Sequence, residues 1–181
     1  MDRPSPAHVE LDALTALFFT SPDSLGRFTE VRPADMPDAY RKLLAHEHHM
    51  TVTVEAQHGC PVAVRVLDTK ITPRHYARKI LLSRTTDSIN VQFGIMRVCL
   101  EYLAPQVRTE IEQAQAPLGR ILIEHDVLRT IQLESLYRVE AGPELASLFN
   151  MQPGATTYGR TACIFADRDP AVELLEIVTP C

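Results

Sequence analysis

The sequence predicts a single α+β domain over residues 1–181, built on a largely antiparallel sheet of about six strands with helices packed on one side. Apolar residues recur at helical spacing near the N-terminus, whereas several later stretches alternate between apolar and polar residues, as strands do. Short polar turns join the strand candidates, and the early pairs leave no room for the crossover that parallel strands need. A chain of this length can bury about two-thirds of its unfolded surface in one domain.

Helical patterns come first along the chain. Residues 1–7 are polar and contain prolines, so we expect them to be loose. Helices are expected at residues 9–19, 23–29, 33–45, 117–130 and 143–150, with 105–114 as a short helix or a mobile segment. Pro117 suits the first position of its helix, because proline lacks the amide hydrogen that this position leaves unpaired.

The hydrophobic period changes to two at Met50, which indicates strands. Residues 50–56 and 62–67 are predicted to form a hairpin around a turn at 58–61. Further strands are predicted at residues 76–82, 89–100 and 131–139. Two last strands, 161–166 and 171–178, flank a polar loop at 167–170 that contains a proline, so the chain should end in a hairpin.

Composition excludes several classes of function. A formal net charge of −5 argues against a general binder of nucleic acid or anionic membranes. The four cysteines are far apart and form no CxxC pair, which favours a reducing, cytoplasmic environment. The N-terminus has no signal-like apolar region, and no run approaches the ~18 apolar residues of a membrane helix, so we expect neither cleaved export nor membrane insertion.

Glu176 is the first candidate functional residue. Alternation along the last strand places Glu176 on one face with Leu174 and Val178, and Glu173 on the other. A carboxylate on a buried face costs several kcal/mol unless it is paired, hydrogen-bonded or neutralised. The alternative is an edge strand with one wet face, where such a carboxylate needs no explanation.

Arg78 is the second candidate. It shares the more apolar face of its strand with Tyr76, Ile80 and Leu82, and an arginine held there has to meet an anion or carbonyl groups. The alternative is a guanidinium that reaches out to solvent or pairs with a glutamate on a neighbouring strand.

Four separated segments resemble the chorismate pyruvate-lyase family in the same order. They are Tyr-Ala-Arg-Lys-Ile-Leu-Leu at 76–82, Ala-Pro-Leu-Gly-Arg at 116–120, Tyr-Gly-Arg at 158–160 with Leu-Glu-Ile-Val-Thr-Pro at 175–180, and Asp-Ser-Leu-Gly-Arg-Phe at 23–28. The resemblance spans roughly residues 20–180. It implies a lyase that eliminates pyruvate from chorismate to give 4-hydroxybenzoate, with no metal or organic cofactor.

The resemblance also implies residue roles. Arg78 would bind a substrate or product carboxylate, and Glu176 would hydrogen-bond the hydroxyl at the opposite end of the pocket. Leu118, in the signature that also contains Gly119, would contact the ligand, and Leu25 would lie in the segment that closes over the pocket. Gly94 either lets the ring approach the backbone or marks a bulge.

Two other functions remain open at this point. The effector-binding domains of some bacterial transcription regulators resemble the same fold, so the chain is alternatively a non-catalytic sensor of a small aromatic acid, one that signals by protein contact. It is otherwise a lyase-like enzyme acting on a related acid. The oligomeric state is not predicted.

Other polar clusters carry weaker predictions. The residues His46 to His49 lack the i, i+4 histidine pair of a zinc helix and are expected to be a solvated junction. Cys99 and Cys163 are expected to be small core residues rather than nucleophiles. The arginines 120, 138 and 160 add positive potential near the pocket mouth or lie on a wet face beside glutamates.

Overall fold

One antiparallel sheet of seven strands organises the residues that the computed structural model describes, which are 9–127, 129–166 and 168–180. The strands are β1 Gly26–Val31, β2 Val62–Ile71, β3 His75–Arg84, β4 Asn90–Cys99, β5 Arg129–Ala141, β6 Thr156–Ala166 and β7 Asp169–Val178. Their spatial order is β1-β5-β6-β7-β4-β3-β2. The strand that carries Glu176, β7, is therefore central, and the edge-strand alternative for this glutamate is wrong.

Short helices cover this sheet. They are α1 Leu11–Thr15, α2 Asp38–Leu44, α3 Met50–His58, α4 Pro105–Gln113, α5 Leu118–Glu124 and α6 Pro143–Phe149. Three 3-10 turns complete the connections, at Pro22–Ser24, Pro33–Asp35 and Leu100–Tyr102. None of the helices in the described ranges is both long and apolar enough to cross a membrane.

Strand alternation divides the core into two layers, one on each face of the sheet. On one face, Leu81, Phe93 and Leu175 pack with residues of α1 and α6. On the other, Ile80 and Leu82 pack under α2 and α3, and residues such as Met96 and Leu174 pack under α4 and α5. The α+β class with an antiparallel sheet is confirmed, with seven strands rather than about six and with helices on both faces rather than one side.

The predicted strand at residues 50–56 is a helix, α3. Its buried residues are Met50, Thr51 and Val54, the spacing of one helical face, whereas Val52 is 50% exposed. Gly59 ends the helix in the left-handed conformation (φ 66°), which glycine adopts without steric cost. The predicted hairpin therefore does not form, and β2 pairs with β3 instead.

Part of the predicted second helix, residues 23–29, is a strand. The chain makes one 3-10 turn at Pro22–Ser24 and then enters β1, which pairs with β5. Gly26 permits this turn, because its φ is +152° and a side chain there would lie 2.5 Å from the carbonyl oxygen of Glu140.

The other predicted elements are present with shifted ends. The helix expected at 33–45 is a 3-10 turn followed by α2, and those expected at 9–19 and 117–130 are the shorter α1 and α5. The final hairpin is present, with both strands longer than predicted. The loose segment at 1–7, the loop residue Asp167 and Cys181 lie outside the described residues.

Candidate functional site

A partly open pocket, called the cavity below, lies between the sheet and the first turns of α3 and α5. Most of its wall is apolar and includes Met50, Ile80, Leu82, Met96, Pro117, Leu118, Ile131, Ile164 and Leu174. The polar side chains of the wall are those of His49, Thr51, Gln92, Arg160 and Glu176. A largely apolar pocket with a few convergent polar groups is typical of a small-molecule site.

One row of cross-strand neighbours forms the floor of the cavity. Ile80 lies opposite Gly94, Gly94 opposite Glu176, and Glu176 opposite Arg160. Because cross-strand partners project from the same face of a sheet, these residues are brought together by register alone. The predicted face of Glu176 is therefore the cavity face.

Glu176 is paired inside the protein. It is 7% exposed, and its Oε2 accepts a hydrogen bond of 2.8 Å from Nε of Arg160. Its Oε1 accepts a longer bond, 3.4 Å, from Nε2 of Gln92. The charge of Glu176 is thus balanced within the wall of the cavity.

Arg160 is the partner that sequence analysis did not single out. It is 1% exposed, and besides Glu176 it donates to the carbonyl oxygens of Leu44 (3.4 Å), His46 (2.7 Å) and His48 (3.1 Å). A buried guanidinium needs this many acceptors, because it carries five N–H donors. The alternative that Arg160 lies on a solvent-exposed face of the sheet is therefore wrong.

Gln92 is a second polar residue that the sequence analysis missed. It lies on β4 opposite Val178 and is 3% exposed. Its amide nitrogen bonds Glu176, but its Oε1 has no hydrogen-bond partner in the described structure. A buried acceptor without a partner costs about 1–3 kcal/mol, so a donor from a bound molecule would stabilise it.

Arg78 lies one row further along the sheet, opposite Met96, which in turn lies opposite Leu174. It is 0% exposed. Its Nε contacts the sulfur of Met96 at 3.1 Å, its Nη2 donates to the carbonyl of Ala116 at 3.3 Å, and its Nη1 has no partner. Within the described ranges no carboxylate forms a salt bridge with it, so neither alternative for Arg78, solvent contact or pairing with a glutamate, is present.

Burial lowers the pKa of Arg78, and the neighbouring Tyr76 opposes this shift. The physical cause is the cost of holding a charge away from water. Arg78 does not itself line the cavity but lies directly beside Met96, which does, whereas Glu176 and Gln92 line the cavity at its other end.

Three of the remaining predicted residues lie at the cavity. Leu118 and Gly119 begin α5, and Gly94 is in the floor. A side chain at Gly119 would lie 3.0 Å from Oγ1 of Thr51, so glycine lets α5 approach α3. A side chain at Gly94 would lie 3.3 Å from Cγ1 of Ile80.

Leu25 is not part of this site, and its predicted role as a cover over the pocket is corrected. It is fully buried in the apolar layer on the opposite face of the sheet, with Leu14 and Phe19. Its carbonyl accepts a hydrogen bond from the amide of Gly142, which fixes this segment beside β5 and α6.

The histidine-rich segment instead contributes one residue to the cavity and lies beside it. His49 lines it, and the ring of His46 stacks on that of His48 with centroids 5.4 Å apart. Burial, with the charge of Arg160 as the second cause, lowers the pKa of His46. The described chain contains no cluster of three potential metal ligands.

The other two arginines form ion pairs away from the cavity floor. Arg120 bonds Glu55 and so ties α5 to α3. Arg138 bonds Glu140 on an exposed part of β5. Neither is among the residues that line the cavity.

No family model matches the chain, and no curated protein matches it in sequence. Among solved structures, it resembles the effector domain of PhnF from Mycobacterium smegmatis, with 12% identity, 73% of this chain and 88% of that chain covered, and a TM-score of 0.54. The match to PhnF from the same organism has 12% identity, covers 72% of this chain and 63% of that one, and has a TM-score of 0.52. The C-terminal domain of a histidine utilization repressor from Pseudomonas syringae is a weaker likeness, with 13% identity, coverage of 65% and 91%, and a TM-score of 0.46.

These likenesses correct the predicted activity. The prediction of an enzyme, a chorismate pyruvate-lyase, is contradicted, because the solved structures that share this fold with a TM-score above 0.5 include an effector domain, that of PhnF. The alternative of a lyase-like enzyme on a related acid is abandoned for the same reason. The chain has the chorismate lyase-like fold, which it shares with the effector domain of PhnF.

Proposed function

We propose that this chain is a non-catalytic binding domain that senses a small organic acid, held in the cavity by Arg78. The observation that carries the proposal is a guanidinium that is 0% exposed and forms no salt bridge in the described ranges. Buried charges in proteins are normally paired. A carboxylate on a ligand supplies the missing partner, and it can accept two N–H bonds from one guanidinium.

The charges around the cavity support this placement. Arg160 and Glu176 neutralise each other, which leaves Arg78 as the uncompensated charge beside the apolar wall. An acid therefore gains most at the Arg78 end, where Met96 and Leu118 provide contacts for its apolar body.

The opposite end supports a ligand that also carries a hydrogen-bond donor. The free Oε1 of Gln92 is an acceptor, and both oxygens of Glu176 already accept bonds from protein donors. Gln92 lies four residues along β4 from Met96, so roughly 13 Å separates their Cα atoms. Long side chains at both ends fill part of this distance, and a single ring with a carboxylate and a hydroxyl or amine on opposite sides suits what is left.

The proposed output is a contact with another protein segment rather than chemistry on the ligand. Support comes from the likeness in fold to the effector domain of PhnF, and from a formal charge of −5, which disfavours direct contact with nucleic acid. The unpaired thiols of Cys60, Cys99 and Cys163 suit the reducing, cytoplasmic setting that we include in the proposal.

Calorimetric titration with 4-hydroxybenzoate, benzoate and cyclohexanecarboxylate tests the proposal. We expect the hydroxy acid to bind with one molecule per chain, and benzoate to bind about tenfold more weakly, because it leaves Oε1 of Gln92 unpaired. Arg78→Met should weaken binding by about ten- to a hundredfold, the worth of hydrogen bonds to a charged group. Arg138→Met, which removes an exposed arginine, is the matched control. Equal affinity of wild type and Arg78→Met, or binding of none of the three acids, would contradict the proposal.

A further inference from the structure

Arg160 holds a segment of the chain that does not belong to its own sheet. We call residues 45–49, between α2 and α3, the cap segment. Arg160 donates to the carbonyls of His46 and His48 within it and to that of Leu44 just before it. The same guanidinium donates through Nε to Glu176 on the cavity floor.

The cap segment lies where the cavity meets a second, more open groove on the surface. This groove is lined in part by Glu47 and His48. His49 and Ile131 line both the groove and the cavity. If the cap segment moved outward, the two spaces would become continuous at these two residues.

Local bonds also join the cap segment to the helices on either side of it, among them one of 2.8 Å between Nε2 of His46 and the carbonyl of Leu43. The amides of Ala45 and His46 donate to Arg41 and Leu44, and the amide of His48 donates to Nδ1 of His46. All of these are local bonds. They keep the shape of the segment, whereas the bonds of Arg160 connect it to the sheet.

We propose that Arg160 is a positioning residue that latches the cap segment over the cavity, and that opening of this segment is the route by which the ligand enters. The latch itself follows from the contacts of Arg160, whereas its use by a ligand rests on the proposed function. Local opening is most frequent where few bonds hold a segment, so loss of the Arg160 bonds acts on the cap segment first.

The latch also connects the ligand to the surface. A ligand that draws Gln92 or Glu176 into new hydrogen bonds changes the acceptor that orients Nε of Arg160. The remaining N–H groups of the same rigid fork hold the cap segment. Binding of a ligand in the cavity thereby changes how firmly Glu47 and His48, which line the groove, are held.

Hydrogen exchange on the ligand-free protein tests the latch without reference to any ligand. The variant is Arg160→Lys, which keeps a positive charge beside Glu176 but replaces the five-donor fork by one ammonium group. The control is Arg138→Lys, on the exposed surface of β5. We expect the amides of Ala45, His46 and His48 to exchange at least about tenfold faster in Arg160→Lys than in wild type or the control, relative to the amides of β4 and β7.

Two results would overturn the latch. One is unchanged exchange in the cap segment. The other is an acceleration of the same size throughout β4 and β7, which would mean that Arg160 only stabilises the fold as a whole.

Stopped-flow binding of 4-hydroxybenzoate tests the access route. If opening precedes binding, the observed rate levels off at high acid concentration in wild type, and this plateau rises in Arg160→Lys in proportion to the exchange rate of the cap segment. A plateau equal in both proteins would overturn the route. Faster exchange in the cap segment without any binding of the acid would instead uphold the latch and contradict the proposed function.

Discussion

Replacing Arg78 by methionine should stabilise the ligand-free protein. The side chain is 0% exposed, and its two hydrogen bonds are weak, at 3.1 Å to a sulfur and 3.3 Å to a carbonyl. We take their combined loss as about 3 kcal/mol, twice the low end for a single bond from a charged donor. Removal of the charge recovers an effective desolvation cost of several kcal/mol.

The net expectation for Arg78→Met is a gain of about 1–3 kcal/mol in the free energy of unfolding. For a domain of this size, a gain of about 2 kcal/mol corresponds to a rise of roughly 4–8 °C in Tm. Urea unfolding and differential scanning calorimetry without ligand measure the gain, with Arg138→Met as the exposed control. A decrease of more than about 1 kcal/mol in the free energy of unfolding would refute the reasoning. It would mean that Arg78 stabilises the ligand-free fold rather than lowering its stability in order to bind an anion.

Three further results are expected. Gly94→Ala should lower the free energy of unfolding in urea by less than about 1 kcal/mol, because the cavity gives Ile80 room to move. The same variant should bind 4-hydroxybenzoate at least about tenfold more weakly than wild type. Unchanged affinity would remove Gly94 from the site. The pKa of His46 in the folded protein is lowered from its usual 6.5, so the unfolded state takes up this proton first as the pH falls. The contribution of His46 to the free energy of unfolding is therefore full above pH 6.5 and is lost as the pH drops through the folded-state pKa. His46→Gln should therefore flatten the decline in stability between about pH 6.5 and 5 relative to wild type, and identical slopes would contradict the role of burial and Arg160 at this ring. Burial raises the pKa of Cys163 to about 12, so iodoacetamide should alkylate it at pH 8 only in denaturant, as read by mass spectrometry; alkylation in the native state would contradict its burial.

The fold class followed from periodicity, but one element shows where periodicity fails. Within the predicted strand 50–56, residues 51–54 alternate between threonine and valine, both of which favour strands. The same residues present Met50, Thr51 and Val54 along one helical face. The packing of that face on α2 and α5 decides between the two patterns, and this packing involves residues far away in the sequence.

The two ends of the site differed in how far the sequence predicted them. The faces of Arg78 and Glu176 followed from alternation, since a strand offers only two faces. The pairing of Glu176 with Arg160 depended on register. A loop at 167–170 would place Thr161 opposite Glu176, whereas a shift between Ile164 and Phe165 places Arg160 there.

A slip of one residue exchanges the two faces of a strand, so an irregularity in the hairpin was enough to hide the main ion pair of the cavity. Leu25 shows a second limit of sequence analysis. The short motif that contains it matched the segment that closes over the pocket, but such a match does not determine the face of the sheet on which Leu25 packs.

The central claim is that Arg78 binds the carboxylate of a small acid. Nitrogen-15 NMR of arginine-labelled protein tests it most directly, with the Arg78 side-chain signal assigned by its loss in Arg78→Met. The account predicts that 4-hydroxybenzoate shifts the Nε–H signal of Arg78 in a saturable way, with a midpoint equal to the calorimetric Kd. Binding that leaves this signal in place would contradict the account.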